Sequence, residues 1–331
     1  MRALVMTAPS QGPDRTQVQE IDIPRPGPGE VTIDVACAGV NFLDVMARRG
    51  DVGYVPAWPY VPGLEVAGTV REVGAGVGGL TVGQRVVAIT PGGGLAEVAL
   101  TRAVLAVPLP DRISSLTAAG APITFSTALL LLTGSARLAP GENVLVHSAG
   151  GGVGSALAQL APAMGGGLLI GTVGRPDKIA SARQSGYDVV IARGDGLSEA
   201  VRAATGGGGV DVVLDPLGTG MLDVDLAVTA PGGRIVLFGN AGGGQPAPLP
   251  PAGRLIGGNV AIGGFSLSGL SVSAPERVAA ALRRVLDMIA TGRLEVAVTE
   301  VGSLAGVPAV HQVLADGRGD GKYVARVTST E

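Results

Sequence analysis

The chain has 331 residues, which at about 150 residues per domain points to two domains. Its formal net charge of −3 excludes a global basic field for nucleic acid or anionic lipid, and its single cysteine, Cys37, excludes an intrachain disulfide framework and a structural zinc site of several thiolates. Hydrophobic residues make up 46%, yet Gly, Pro, Ser and Thr cut every apolar run short of the about 18 residues of a membrane span. The N-terminal residues lack the apolar core of a secretory signal, so the cytoplasm is the expected compartment.

The first third reads as β structure. Ala3 to Met6, Glu30 to Ala38, Gly68 to Val73, Arg85 to Ile89 and Ala96 to Leu100 are short β-prone runs separated by Gly and Pro, a pattern that predicts a small barrel-like domain. Asn41 stands where it would cap a helix over Phe42 to Arg49, whose Arg48 and Arg49 read as solvated charges, and Cys37 reads as core. From Asn143 the rhythm changes to strand, Gly-rich turn and helix. Strands are expected at Asn143 to His147, Leu168 to Val173, Asp188 to Ile191, Val210 to Leu214 and Arg234 to Phe238, with an edge at Val260 to Gly263. Helices over Asp177 to Gln184 and Leu197 to Ala204 alternate with them, and βα alternation predicts an α/β fold with a doubly wound parallel sheet. Pro162 should stop or kink the preceding helix near Ala161, and Ala241 to Gly253 reads as a surface loop. The tail, with an amphipathic helix over Pro275 to Thr291, another near Pro308 to Ala315 carrying His311 on its surface, and a strand at Tyr323 to Val327, is expected to pack back onto the first domain. The expected division is 1–122 with 268–331 against 123–267.

The strand at Asn143 to His147 runs into Ser148-Ala149-Gly150-Gly151-Gly152-Val153-Gly154 and then an apolar helix. Missing side chains let a backbone turn approach a pyrophosphate while N–H groups at the helix start supply positive charge. Ala149 occupies the place of the first fingerprint glycine, and the strand-turn-helix context is what a dinucleotide site requires. After the second strand, Gly171-Thr172-Val173-Gly174-Arg175-Pro176-Asp177-Lys178 has no acid to bond a ribose 2′-OH, whereas Arg175 and Lys178 can pair with a 2′-phosphate. NADPH is therefore the expected cofactor. His147 reads as a buried supporting residue.

Together these features resemble the medium-chain dehydrogenase/reductase superfamily, and within it the zinc-independent quinone oxidoreductases, the zeta-crystallin-like group. The resemblance is carried by Ala38-Gly39-Val40-Asn41-Phe42-Leu43-Asp44, Pro62-Gly63-Leu64-Glu65-Val66-Ala67-Gly68, Val146 to Gly154, Ile170 to Gly174 and Gly321-Lys322. It implies a GroES-like catalytic domain completed by the C-terminal tail beside a Rossmann domain. Zinc-dependent relatives carry Cys and His where this chain has Asn41 and Leu64, which implies no metal site. Without a metal, hydride goes to an acceptor polarised by its own carbonyl, such as a quinone, enone or enoyl thioester. The resemblance further implies that Asn41 and Thr127 sit beside the nicotinamide and substrate, and that Phe238-Gly239-Asn240 and Phe265-Ser266-Leu267 line the nicotinamide pocket. Lys178 and Lys322 would lie toward the cofactor phosphates, and Arg193 would replace a Tyr near the adenine phosphate. Quinone-reducing relatives carry Tyr where this chain has Met46 and Val52, which favours a specialised acceptor; Tyr54, with Trp58 and Tyr60 on the same Pro-rich loop, is the residue placed to supply a ring or a proton. The runner-up function is an NADPH-binding structural or regulatory protein with little turnover. The apolar edge Asn259 to Phe265 is where relatives pair, so a homodimer is expected.

Overall fold

The computed structural model of the chain describes residues 1–328 and divides into two compact units, Met1–Ser126 with the chain from Leu267 onward, and Thr127–Ser266. The first unit opens with an antiparallel ribbon of β1 (Arg2–Met6) and β2 (Thr16–Glu20). Strand β2 escapes the sequence pattern because it is exposed over most of its length and shows no apolar alternation. There follow β3 (Glu30–Val40), α1 (Phe42–Arg49), β4 (Glu65–Val73), β5 (Arg85–Ile89), β6 (Val98–Arg102), β7 (Ala106–Pro108), the short α2 (Ser115–Ala119) and α3 (Pro122–Leu130). Helix α1 stops at Gly50, whose φ of 79° places it in the left-handed conformation that ends helices cheaply only with glycine.

The second unit is a six-stranded, wholly parallel sheet in the order β10-β9-β8-β11-β12-β13. Its strands are β8 (Val144–Val146), β9 (Leu169–Val173), β10 (Val189–Ala192), β11 (Val210–Asp215), β12 (Thr229–Leu237) and β13 (Ala261–Gly264). The helices between them are α4 (Gly152–Ala163), α5 (Ile179–Gln184), α6 (Leu197–Ala204), α7 (Leu222–Val228) and α8 (Ala252–Gly258). Helix α4 ends at Ala163, two residues beyond Ala161, so it stops directly after Pro162, which lacks the N–H and crowds the carbonyl four residues before it. Helix α8 begins at Ala252, inside the stretch expected to be loop. Apolar strand residues Leu145, Ile170, Val213 and Ile235 pack with Leu197, Val201, Leu222 and Val228 from the helices to form the core of this unit. The strand order reverses between β8 and β11, and open parallel sheets bind ligands beyond the strand C-termini at such a switch point.

The tail adds α9 (Leu267–Ser273), α10 (Pro275–Ala290), β14 (Val298–Val301), α11 (Val307–Ala315) and β15 (Lys322–Arg326). Helix α10 buries Val278, Leu282, Val285 and Leu286, one face of a 3.6-residue repeat. Strand β15 joins the seven-stranded sheet of the first unit, antiparallel to β3, pairing Tyr323 with Val40 and Arg326 with Cys37. Its neighbour β6 pairs with Glu30 to Asp34 of the same strand, so β15 and β6 divide one edge of β3 while β4 takes the other. This register sets Lys322 just past the end of β3, where Asn41 stands. No helix among the described residues is long and apolar enough to cross a membrane.

Leu145 is fully buried in the central strand of the parallel sheet, so Leu145→Ala is expected to cost about 2–5 kcal/mol of unfolding free energy in urea denaturation.

Candidate functional site

In the first unit Asn41, expected at the reaction centre, and Lys322, expected toward the cofactor phosphates, converge on one buried carboxylate. Glu65, the first residue of β4, has no exposed surface. Its Oε1 accepts from Asn41 Nδ2 at 2.8 Å and from the Lys322 ammonium, and its Oε2 accepts from the Ile123 N–H at 2.8 Å, in the first turn of α3. Lys322 also donates to Asn41 Oδ1 at 2.6 Å and to the Val40 carbonyl at 2.9 Å. The carboxamide of Asn41 is thereby oriented: its oxygen faces the ammonium and its nitrogen faces the carboxylate and, at 3.4 Å, the Gly39 carbonyl. Behind it, Asp44 accepts the Asn41 N–H at 2.8 Å and the Gly63 N–H at 3.1 Å, tying the start of α1 to the Pro62-Gly63 turn.

Two expectations about the helices are corrected. Arg48 and His311 are buried, because α1 and α11 pack against each other and both residues lie on the joined faces. Arg48 donates to the Gln11 carbonyl at 2.9 Å and to Gln312 Oε1 at 3.2 Å, while His311 Nε2 lies 3.8 Å from Asp44 Oδ2. Tyr54 is half-buried, and burial, with the nearby Asp51 charge, raises its phenol above the ordinary value, so it stays a proton-bearing group at neutral pH. Tyr60 is pushed up to about 12 by burial and by Asp44.

In the second unit the turn after β8 is built by close backbone approach. Ser148 takes a φ of 59°, the Ala149 N–H donates to the Thr172 carbonyl at 2.9 Å, and the Gly151 N–H donates to the Ser148 carbonyl at 3.0 Å. A Cβ on Gly154 would lie 2.6 Å from the Ser148 carbonyl oxygen, so this position admits only glycine without a shift. Gly151 caps α4, and Gly152, Val153 and Gly154 form its first turn, presenting the N–H groups that an anionic bridge needs. Ala149 is buried against Gly171, where a Cβ would lie 2.6 Å from its own. Gly150 lies between Ala149 and the capping Gly151, so the turn after β8 runs directly into α4.

The remaining residues expected at the nucleotide lie beyond the C-terminal ends of the strands. Gly174 directly follows β9, and Arg193 directly follows β10. Arg175 forks onto Asp177 at 2.9 and 3.1 Å in an exposed pair, and Lys178 follows in the next turn. Phe238, Gly239 and Asn240 follow β12, with the Phe238 N–H on the Asp215 carbonyl at 2.9 Å and Asn240 Nδ2 on the Gly244 carbonyl at 3.0 Å. Phe265 and Ser266 follow β13 and Leu267 begins α9. Thr127 is buried on α3. Lys322 belongs to the Glu65 cluster of the first unit.

Two buried acids here had no role in the sequence reading. Asp215, at the end of β11, accepts the N–H groups of Leu217 at 2.6 Å and Gly218 at 3.2 Å. Asp225 meets His147 Nε2 at 2.8 Å with both side chains fully buried. Burial and the neighbouring Asp225 push Asp215 up to about 6, with His147 and the two N–H bonds acting in the other direction. An acid in an apolar strand is the signal that marks Asp215 and Glu65, since each must be matched by donors.

Among the described residues no three His, Cys, Asp or Glu side chains are grouped to hold a metal ion, and the Glu65 carboxylate beside Asn41 is already matched by an ammonium. The residues present do not fit a catalytic zinc.

A family model described as the zinc-binding dehydrogenase family matches residues 152–287, and one described as the alcohol dehydrogenase GroES-like domain matches residues 27–111. The chain is 32% identical to a quinone oxidoreductase of Sus scrofa over 93% of its own length and 92% of that protein. It is 36% identical to quinone oxidoreductase-like protein 2 of Mus musculus over 68% of its length, a match that spans 65% of that relative. Among solved structures, the quinone oxidoreductase of Escherichia coli complexed with NADPH superposes with a TM-score of 0.90 at 30% identity, covering 98% of this chain and 100% of that one. A GroES-like unit closed by its own tail, with a parallel nucleotide-binding-type sheet, defines a medium-chain dehydrogenase/reductase. The chain belongs to the quinone oxidoreductase family of that superfamily.

Lys322→Met strands the Glu65 carboxylate and is expected to cost about 3–5 kcal/mol in chemical denaturation, most of it recovered in Lys322→Met/Glu65→Met. For Asp215 the folded value lies above the ordinary 3.8, so the charged form costs stability, and the loss grows as pH rises from that value through about 6. Relative to Asp215→Asn, the wild type should lose about 2 kcal/mol of unfolding free energy between about pH 4.5 and about pH 7.

Proposed function

We propose that this chain is a zinc-free, NADPH-dependent oxidoreductase that delivers hydride to a quinone or to a C=C bond activated by a carbonyl, in an enone or enoyl thioester. The observation that carries this reading is the edge of the parallel sheet, where the Ala149 to Gly154 segment opens α4 and the next strand is followed by Gly174 beside an arginine rather than by an acid. NADPH, when bound, supplies the hydride and its two electrons. The turn and the first N–H groups of α4 would hold the pyrophosphate, with Gly174, Arg175, Lys178 and Arg193 toward the adenosine end. Phe238 to Asn240 and Phe265 to Leu267 would flank the nicotinamide.

On the acceptor side, Asn41 and Thr127 bind and orient the substrate carbonyl, and Tyr54 holds a phenolic proton available to the developing oxyanion. Asn41 enters this role already fixed by Lys322 and Glu65, so little rotamer entropy is lost on binding. The match of the Glu65 carboxylate by an ammonium supports chemistry without a metal. Absence of tyrosine at Met46 and Val52 favours an enone or enoyl acceptor over a simple quinone. Strand β13 is a sheet edge with mostly exposed residues, which supports a homodimer paired through it in the cytoplasm.

NADPH oxidation, followed at its nicotinamide absorbance against matched quinone, enone and enoyl-thioester panels with NADH as control, tests the reading. Turnover with NADPH, faster with an enone or enoyl acceptor than with benzoquinones, is the expected result. Binding of NADPH without oxidation across the panel overturns the reductase assignment and favours a binding role.

A further inference from the structure

Resting on the NADPH reading above, we propose that Arg193 receives the cofactor 2′-phosphate and that a buried relay of Thr172, His147 and Asp225 positions it, so that the relay sets the preference for NADPH over NADH. Arg193 is singled out by its neighbours. Its backbone N–H donates to the Val173 carbonyl at 2.8 Å, which fastens it to the last residue of β9. Its guanidinium leans over Gly174, where an added Cβ would lie 2.8 Å from Nη2. Gly174 takes no left-handed conformation, so a side chain there would instead displace the end of the guanidinium. That is the place, just past the second strand, where dinucleotide enzymes distinguish a ribose hydroxyl from a phosphate. Arg175, the nearer arginine in sequence, already has both arms on Asp177.

The relay runs inward from there. Arg193 Nη1 donates to Thr172 Oγ1 at 3.4 Å, Thr172 Oγ1 lies 2.7 Å from His147 Nδ1, and His147 Nε2 lies 2.8 Å from Asp225 Oδ1. With His147 neutral and Asp225 ionised, Nε2 carries the imidazole proton and Nδ1 accepts the Thr172 O–H. The threonine oxygen is then left with its lone pairs toward the guanidinium. Each donor thus points from the half-buried arginine to the fully buried acid, and each bond raises the polarity of the next. Thr172, His147 and Asp225 are all buried, so they act through Arg193 and touch no ligand themselves. A guanidinium held in place before binding loses less freedom when it meets a planar, bidentate anion.

The test is titration calorimetry of the unliganded full chain with NADPH and NADH, and with 2′,5′-ADP against AMP. Arg193→Met should weaken NADPH and 2′,5′-ADP by about tenfold or more and leave NADH and AMP within about twofold. Thr172→Val keeps the shape, removes the hydroxyl and should weaken NADPH selectively by about threefold. Thr172→Ser should restore the wild-type ratio, and the Arg193→Met/Thr172→Val double variant should bind no worse than Arg193→Met alone. Asp225→Asn, which removes the charge at the far end, gives an independent reading in the same direction. A wild-type ratio in both Thr172→Val and Asp225→Asn, or equal weakening of both nucleotides, overturns the relay. A wild type with no preference for NADPH overturns the cofactor reading, and this proposal with it.

Discussion

A carboxylate with no exposed surface has to be surrounded by donors, because an unpaired charge inside a protein costs several kcal/mol. Glu65 meets that demand with groups from three distant segments: the ammonium of Lys322 on β15, the carboxamide of Asn41 at the end of β3, and the Ile123 N–H at the start of α3. The C-terminal tail is therefore no appendage. Its last strand must lie on β3 in the register that sets Lys322 beside Asn41, and the Tyr323 to Val40 pairing does so. The same demand fixes the side chain proposed to touch the substrate.

The second unit arranges charge differently. Parallel strands deliver their C-terminal residues to one edge, so positions separated by about twenty residues or more in sequence, such as His147, Gly174, Arg193, Asp215, Phe238 and Phe265, end or follow neighbouring strands by topology alone. The glycine-rich turn lies on the same edge because α4 leaves from β8, a central strand. No loop has to fold into a special shape to bring these groups together, and the adjacency is as robust as the sheet.

Strong periodicity and punctuation made most of this architecture legible. The βα alternation after Asn143, the turn from Ala149 to Gly154 and the amphipathic α10 are visible in the sequence because each is a local pattern. Where the reading failed, the deciding partner was remote. Nothing near Arg48 or His311 announces that α1 will meet α11, so both read as surface residues although both are buried. Strand β2 hides its pairing behind an exposed polar sequence, and α8 begins within a Pro/Gly-rich stretch that carries no amphipathic stripe. Lys322 is recognisable by its motif, yet its salt bridge to Glu65, 257 positions away, depends on the tail crossing back to β3.

The two clusters of buried charge also differ in what is left over. All three donor directions of the Lys322 ammonium end on oxygens of Val40, Asn41 and Glu65. It is a fixed scaffold for Asn41. Around His147 the matching is incomplete: Asp225 keeps one oxygen without a partner, Asp215 is pushed up in pKa beside it, and Arg193 remains half-exposed at the outer end. On the proposed reading, an anion at Arg193 would meet a cation already held in place by the chain of bonds through Thr172 and His147 to Asp225. A phosphate carrying close to two charges gains far more from that fixed cation than a neutral ribose hydroxyl does. The acid at the far end would thus act by keeping the guanidinium oriented, and an arginine placed there without the relay would lose more freedom on binding and select less.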